Sequence, residues 1–278
     1  IIKEFKDQIR LNIMNMREVF DFSNRVIVIT GAAGLLGSEY ADGFCQAGGN
    51  VVLADKNFEK CKKLAAKLEK KYGVKPLPIK LDVTNPNSIK KMVAHITKKF
   101  SKIDVLVNNA IYPEIGKIKK TKFEDFPLDI WKKGIDVNLT GMFLCSQQIG
   151  EIMKKQKNGV IINISSIYGI KGPDQRIYGK TKIIKSALYA TTKGAVINFT
   201  KYLASYWNRT GIRVNTLSLG GVEENQDRNF KKKYSDKTMI GRMAKKDEYV
   251  GALLFLSSDA SSYMTGSNLV IDGGWSAW

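Results

Sequence analysis

RVIVITGAAGLLGSEYADGFCQAG, residues 25–48, decides the architecture. Its first seven residues are an apolar, β-branched run that ends in glycine, the pattern of a buried strand. GLLGSEYADGFCQAG (34–48) then reads as a helix. The pair recurs downstream. NVVLAD (50–55) is a second strand, and FEKCKKLAAKLEKKYG a second helix closed by Gly73. KPLPIKLDV (75–83) gives a third strand, and NPNSIKKMVAHITKKF places Asn85 as the N-cap of a third helix. IDVLVNNA (103–110), GVIINISS (159–166), IRVNTLSL (212–219) and SNLVIDGG (267–274) supply four more strands. Between them lie a long helical region around 125–155, a helix from about Ala187 to Trp207, and another over Lys246–Ser257. Val/Ile-rich strands alternating with helices specify an α/β fold, a doubly wound parallel sheet with helices on both faces.

The length of 278 residues allows one large domain or two small ones, and no break in the pattern suggests a second. The main domain is expected over 21–278. Residues 1–20 read as an added amphipathic helix with Phe5, Ile9, Ile13 and Met16 near one face. No apolar run approaches the ~20 residues of a membrane span, and the charged N-terminus is not a signal peptide. Cys45, Cys61, Cys145 and the single His95 are scattered without metal-ligand spacing, which points away from disulfides and zinc and toward a reducing cytoplasm. His95 sits in a helical pattern and reads as a surface or packing residue. The net charge of +19 attracts polyanions in general. The lysines, however, are dispersed in pairs without a nucleic-acid-binding motif, so no specific nucleic-acid partner is expected.

Gly31, Gly34 and Gly37 form GxxGxxG between the first strand and the first helix. That context lets the backbone approach a pyrophosphate at a helix N-terminus. Asp55 ends the second strand, where its carboxylate can bond both ribose hydroxyls of NAD and repel the 2′-phosphate of NADP. Lys56 is adjacent, but the glycine loop itself holds no cation. NAD is therefore favoured over NADP.

TGAAGLLG (30–37), LDV (81–83), NNA (108–110), VN (137–138), NISS (163–166), a YxxxK and DGGW (272–275) together resemble the short-chain dehydrogenase/reductase family from about Arg25 to Trp275. The resemblance implies a single-domain Rossmann fold, NAD(P) as cofactor and homodimers or homotetramers. It implies cofactor contacts at Gly31, Gly34, Leu35, Leu36, Gly37, Asp55, Asp82, Val83, Asn109, Ala110, Tyr189, Lys193 and the backbone of Val222. Asp82 and Val83 would hold the adenine, and Asn108 and Ala110 would support the strand and line the cofactor. Asn138 would fix a helix kink and a water in a proton relay, and Ser166 would orient the substrate oxygen. Two positions depart from the family pattern. Leu35 stands where short members carry glycine, as in longer sugar-nucleotide-modifying members, and Leu219 replaces a usual proline.

YGKTKIIKSALYATTK (178–193) holds two candidate pairs, Tyr178/Lys182 and Tyr189/Lys193. At i, i+4 on a helix a lysine can favour the phenolate and make tyrosine a general acid/base. The usual interval after the serine points to Tyr178. Helix length points to Tyr189: Lys193 lies 18 residues before Gly211, as the family has it. Using Lys182 would add three turns of rigid helix, ~16 Å. Tyr189/Lys193 is the favoured pair, with Gly194 and Ala195 allowing close packing and Val196, Phe199, Leu203 and Tyr206 facing the core. Residues 170–188 then form an insertion beside the site. Its Lys171, Arg176, Lys180, Lys182 and Lys185 suggest an anionic or sugar-like substrate, with Tyr168 and Tyr178 as substrate contacts. The insertion and GGVEENQDRNFKKKY (220–234) resemble the branch of flagellin-modification and polysaccharide-sugar oxidoreductases. The expected activity is interconversion of a secondary alcohol and a ketone. Reduction of 3-oxoacyl groups on acyl carrier protein, and a non-enzymatic NAD-binding regulator or scaffold, are the alternatives.

Overall fold

The computed structural model describes residues 16–114, 116–181 and 183–278. Most of the expected N-terminal helix thus lies outside the described residues; Met16–Val19 forms a short helical turn. The chain then enters the core at Phe22, whose ring meets Phe44 edge-on at 5.2 Å.

The sheet is parallel throughout and has the order β3-β2-β1-β4-β5-β6-β7. Its strands are β1 (Val26–Thr30), β2 (Asn50–Asp55), β3 (Leu77–Lys80), β4 (Val105–Asn108), β5 (Gly159–Ser166), β6 (Ile212–Leu219) and β7 (Asn268–Ile271). The long helices are α1 (Leu35–Gln46), α2 (Phe58–Tyr72), α3 (Pro86–Phe100), α4 (Leu128–Ile135), α5 (Gly141–Gln156), α6 (Ala187–Tyr206), α7 (Arg228–Ser235) and α8 (Val250–Ser257). Side chains alternate across the sheet, as the period of two requires. Ile27 and Ile29 pack with Tyr40 and Phe44 of α1, Leu68 of α2 and Leu253 of α8. Val26 and Val28 pack with Met92 of α3, Ile149 of α5 and Leu203 of α6. The strand order reverses between β1 and β4, which opens a crevice at their C-terminal ends.

The expected caps are present. Asn57 and Asn85 accept first-turn N–H groups of α2 and α3, and Gly73 closes α2 at φ 71°. A buried polar belt ties the middle of the sheet to its helices. Asn108 donates to Ser146 and Asn163 at 3.0 and 2.9 Å, Asn163 donates to Thr200 at 2.9 Å, and Thr216 donates to Thr200 at 2.7 Å.

Four local expectations change. The third strand shortens to Leu77–Lys80, because it is an edge strand and Pro78 lacks an N–H. The last long helix starts at Val250, not Lys246. Glu248 accepts the Lys245 N–H at 2.7 Å and grips Arg242, which holds a turn before the helix. The region from Leu128 to Gln156 is helical but contains a π segment at Asp136–Thr140. On α6, Val196 and Leu203 are buried, but Tyr206 is 65% exposed and stacks on Tyr202 along the outer face. His95 is exposed, while Tyr40 and Trp207 are core residues.

Candidate active site

The glycine loop closes the end of β1. Gly31 has φ +66°, and a Cβ there would stand 2.9 Å from the Ala110 Cα; one at Gly37 would stand 2.2 Å from the Gly31 carbonyl oxygen. Both positions require glycine. Asn109 shapes the same turn, its amide donating to the Thr30 and Gly31 carbonyls at 3.0 and 3.1 Å. The Thr30 hydroxyl oxygen accepts the N–H groups of Asn109 and Ala110. Helix α1 starts after Gly34 with no side-chain cap and no acid in its first turn. Its N–H groups at Leu35, Leu36 and Gly37 therefore fit an anionic phosphate. Leu35, in place of the usual glycine, lies partly exposed at the helix start and does not fill the turn.

Asp55 faces this loop and accepts the Ala33 N–H at 3.1 Å. Asp82 lies alongside, with the Thr84 hydroxyl holding its carboxyl below the usual range. Lys56 pairs with Asp82 at 3.5 Å. Val83 packs against Gly141, where a Cβ would come within 2.7 Å of it. Val222 lies on the loop after β6, bridged to Ala244, with its carbonyl accepting from Gln226 at 2.8 Å. A cavity of about 150 Å³ opens beside Gly220 and Gly221 in that loop. The glycine loop, Asp55, Asp82, Val83 and Val222 all lie at or just after the C-terminal ends of strands, and they fit a dinucleotide. They comprise an uncapped helix N-terminus, a cradle that a Cβ would fill, and a ribose-height carboxylate.

Ser166 ends β5, where its hydroxyl oxygen accepts the Tyr168 N–H at 3.2 Å and lies close enough to Tyr189 to lower its pKa. Tyr189 stands in the first turn of α6, where Ser186 caps the helix by accepting the Tyr189 N–H at 3.1 Å. One turn on, Lys193 is buried and donates from Nζ to the Ile164 carbonyl at 2.8 Å. Asn138 occupies the π segment. It accepts the Tyr112 N–H at 2.7 Å and donates to the Thr192 hydroxyl at 3.1 Å. A widened helical turn is a recurrent way to aim a side chain into a site. Asn138, Ser166, Tyr189 and Lys193 are thus brought together from three separate stretches of chain.

The electrostatics differ from the expected lowering of the tyrosine by its lysine. Lys193 Nζ lies 5.9 Å from the centre of the Tyr189 ring. Burial raises Tyr189 above its ordinary pKa, against the Ser166 hydrogen bond, which lowers it. Burial, with Lys185 nearby, brings Lys193 itself down to about 8. Tyr178 is buried, with burial pushing it up to about 12, and stacks on Phe230 of α7 at 5.2 Å. Its hydroxyl meets that of Tyr168, and the Tyr168 ring meets Tyr189 edge-on at 6.4 Å. Tyr178 is therefore part of an aromatic wall. Its candidate partner Lys182 lies outside the described residues.

The basic segment 170–188 is largely engaged with its surroundings. Arg176 and Lys237 both pair with Asp174, Lys171 donates to the Trp278 carbonyl, and Lys185 pairs with Glu114. Arg176 nonetheless keeps its side chain 86% exposed, and Lys182 and the Lys180 side chain lie outside the described residues. Two residues had no signal in the sequence. Gly169 is required because a Cβ would stand 2.5 Å from the Lys193 carbonyl oxygen. Glu114 acquires its place only through folding. The close packing expected at Gly194 and Ala195 falls on Gly169, since Ala195 is exposed.

A family model described as enoyl-(acyl carrier protein) reductase matches residues 31–276. The chain is 34% identical over 267 residues to a sorbose reductase of Candida albicans, covering 94% of this chain and 90% of that one. It is 33% identical over 252 residues to the post-translational flagellin modification protein A of Campylobacter coli, covering 91% and 98%. A crystal structure of a short-chain type dehydrogenase/reductase from Mycobacterium marinum superposes with a TM-score of 0.84 at 32% identity, covering 95% of this chain and all of that one. The chain belongs to the short-chain dehydrogenase/reductase family. As a member it is an oxidoreductase acting on CH–OH groups, and the family binds NAD(P).

The buried Lys193 gives a stability prediction. Its folded pKa is depressed to about 8 from 10.5, so the charge destabilises the fold below pH 8 by on the order of 3 kcal/mol. That cost fades as the pH rises through 8 to 10.5, where the folded state releases the proton before the unfolded chain does. Lys193→Met should stabilise the cofactor-free protein against urea at pH 7, and the gain should vanish by about pH 10.5. A gain unchanged across that range would show that the charge is not its source.

Proposed function

We propose that this enzyme interconverts a secondary alcohol and a ketone on a sugar-like substrate and prefers NAD(H). The observation that carries the reading is the assembly of Ser166, Tyr189 and Lys193 beside the dinucleotide crevice. Ser166 orients the substrate oxygen, and Tyr189 gives or takes its proton at the phenolic oxygen. Lys193 would hold the nicotinamide ribose and support the charge on Tyr189. Asn138 holds the route by which that proton is exchanged with solvent. A bound nicotinamide supplies the hydride acceptor or donor. The N–H groups of Leu35, Leu36 and Gly37 would hold the phosphates. Asp55 would bind the adenosine ribose, Asp82 and Val83 the adenine, and the Val222 backbone the carboxamide, with Asn109 and Ala110 shaping the turn beside them.

Asp55 supports NAD over NADP, because a carboxylate there repels a 2′-phosphate and its neighbour Lys56 is drawn to Asp82. The sugar-like substrate is supported by the resemblance to a sorbose reductase. We read segment 170–188 as an insertion over the site, and its bases leave a sugar-like substrate that carries an anionic group within the proposal. A second reading, reduction of 3-oxoacyl groups on acyl carrier protein, draws on 36% identity to a 3-oxoacyl-[acyl-carrier-protein] reductase of Thermotoga maritima and on the net charge of +19, suited to an acidic carrier. The three free, buried cysteines suit a cytoplasmic enzyme. The exposed aromatics Phe143, Tyr202 and Tyr206 on α5 and α6 are the face we assign to contact between subunits of a homo-oligomer.

Tyr189→Phe should lower turnover at least ~10³-fold while NAD still binds, and Tyr178→Phe should keep substantial activity. An active Tyr189→Phe with an inactive Tyr178→Phe would reverse the assignment. Wild-type kcat/KM should be higher with NADH than with NADPH, and Asp55→Ala should narrow the ratio about tenfold or more. Efficient reduction of a 3-oxoacyl thioester with NADPH, and none of ketoses with NADH, would favour the second reading. Tyr202→Glu with Tyr206→Glu should shift the sedimenting species toward monomer, and an unchanged mass would place the subunit contact elsewhere.

A further inference from the structure

Glu114 and Lys185 stand beside Tyr189 and take no part in the reaction proposed above. Glu114 lies on the loop after β4, and Lys185 lies four residues before Tyr189, in the non-helical stretch ahead of the N-cap Ser186. Their side chains are only 11% and 22% exposed. Lys185 Nζ lies 3.4 Å from the centre of the Tyr189 ring and 3.4 Å from Glu114 Oε2. The other carboxylate oxygen, Oε1, accepts the Ser186 hydroxyl. Ser186 in turn caps α6 at Tyr189, so the carboxylate is anchored to the same turn as the tyrosine.

A pair this buried carries a desolvation cost and is weak support for stability. Burial pulls Lys185 below its ordinary pKa, against the attraction of Glu114. The 3.4 Å separation is also longer than the ~2.7–2.9 Å of a strong charge-assisted bond. The ammonium keeps donors, and Oε2 keeps lone pairs, for a third group. A hydroxyl both donates and accepts, so it can bridge a carboxylate and an ammonium and satisfy each. An anion would gain from Lys185 but be repelled by Glu114.

We propose that Glu114 and Lys185 form a clamp for the hydroxyl on the carbon next to the reacting one. The clamp selects vicinal diols and polyols over simple secondary alcohols. It rests on Tyr189 as the acid/base group, because it is built against that ring and lies beside any substrate oxygen bonded there. Glu114 and Lys185 are specificity-determining residues, since each binds a substrate atom that does not react.

The test compares meso-2,3-butanediol with 2-butanol, each oxidised with NAD by the wild type, Glu114→Gln and Lys185→Met. The wild type should favour the diol. Each variant should lose about 10- to 100-fold in kcat/KM for the diol, mostly through KM, while 2-butanol changes less than about threefold. An equal fall on both alcohols would show a merely structural role and overturn the clamp, as would a diol preference that survives both substitutions. A second arm separates this outcome from failure of the functional reading. Tyr189→Phe, loaded with NAD and unable to turn over, is titrated with both alcohols by calorimetry or saturation-transfer NMR. The diol should bind at least tenfold more tightly, and Glu114→Gln in that background should abolish the difference. If the wild type oxidises neither alcohol, this binding arm still decides, and equal binding of the two alcohols overturns the proposal.

Discussion

The docking of α6 onto the end of β5 is the contact on which the site depends. Ser165 donates its hydroxyl to the Lys193 carbonyl at 2.7 Å, while Lys193 Nζ returns a bond to the Ile164 carbonyl at 2.8 Å. Gly169 allows the approach, because any side chain there would collide with the Lys193 backbone. These contacts set the height of α6 relative to Ser166. Tyr189, one turn before Lys193, then meets the serine hydroxyl without a dedicated contact of its own to the strand. The buried belt from Asn108 through Asn163 to Thr200 holds the same helix one level deeper. Two rigid elements pinned at two levels can place reacting groups more closely than a loop can.

The second half of the site is positioned by strand order. β1 and β4 are neighbours although far apart in sequence, and Asn109 stitches the end of one to the turn of the other. Gly31 is forced toward Ala110 by this stitch, which is why its φ is positive and its side chain absent. The crevice thus arises where helices leave the sheet in opposite directions, and its open helix N-terminus is a consequence of the strand-to-helix turn itself.

Much of this was legible in the sequence, for identifiable reasons. β5 and β6 match the expected spans because continuous apolar runs bounded by glycine mark buried parallel strands. Tyr189 could be separated from Tyr178 because a helix has fixed length per residue, whereas the loop before it does not. What was hidden depends on contacts between distant segments. Glu114 looks like any loop acid until folding brings it to Ser186, 72 residues away. The bases of segment 170–188 read as a patch for an anion, and spacing did not show that Arg176 pairs with Asp174 or that Lys171 donates to the Trp278 carbonyl. Tyr206 fitted an apolar stripe by spacing, yet the helix carries it round to the outer face. The direction of the Tyr189 shift was also out of reach, since it is set first by burial, which spacing does not report.

The distribution of unfavourable terms locates the chemistry independently of any motif. Most lysines of this basic chain lie in water, where their charge costs little. Lys193 and Lys185 instead lie in one small volume around a tyrosine, each pulled down by burial and the first also by the second. A fold selected for stability alone would place apolar side chains there, as it does on both faces of the sheet. Local conflicts of this kind mark functional positions, because something other than folding must retain them. On the proposed reaction, Lys193 serves the cofactor and the tyrosine. Lys185 carries the same burden, with its ammonium over the Tyr189 ring and 3.4 Å from Glu114. The proposed clamp gives this pair the role that folding alone does not, by adding a third polar group between the two charges.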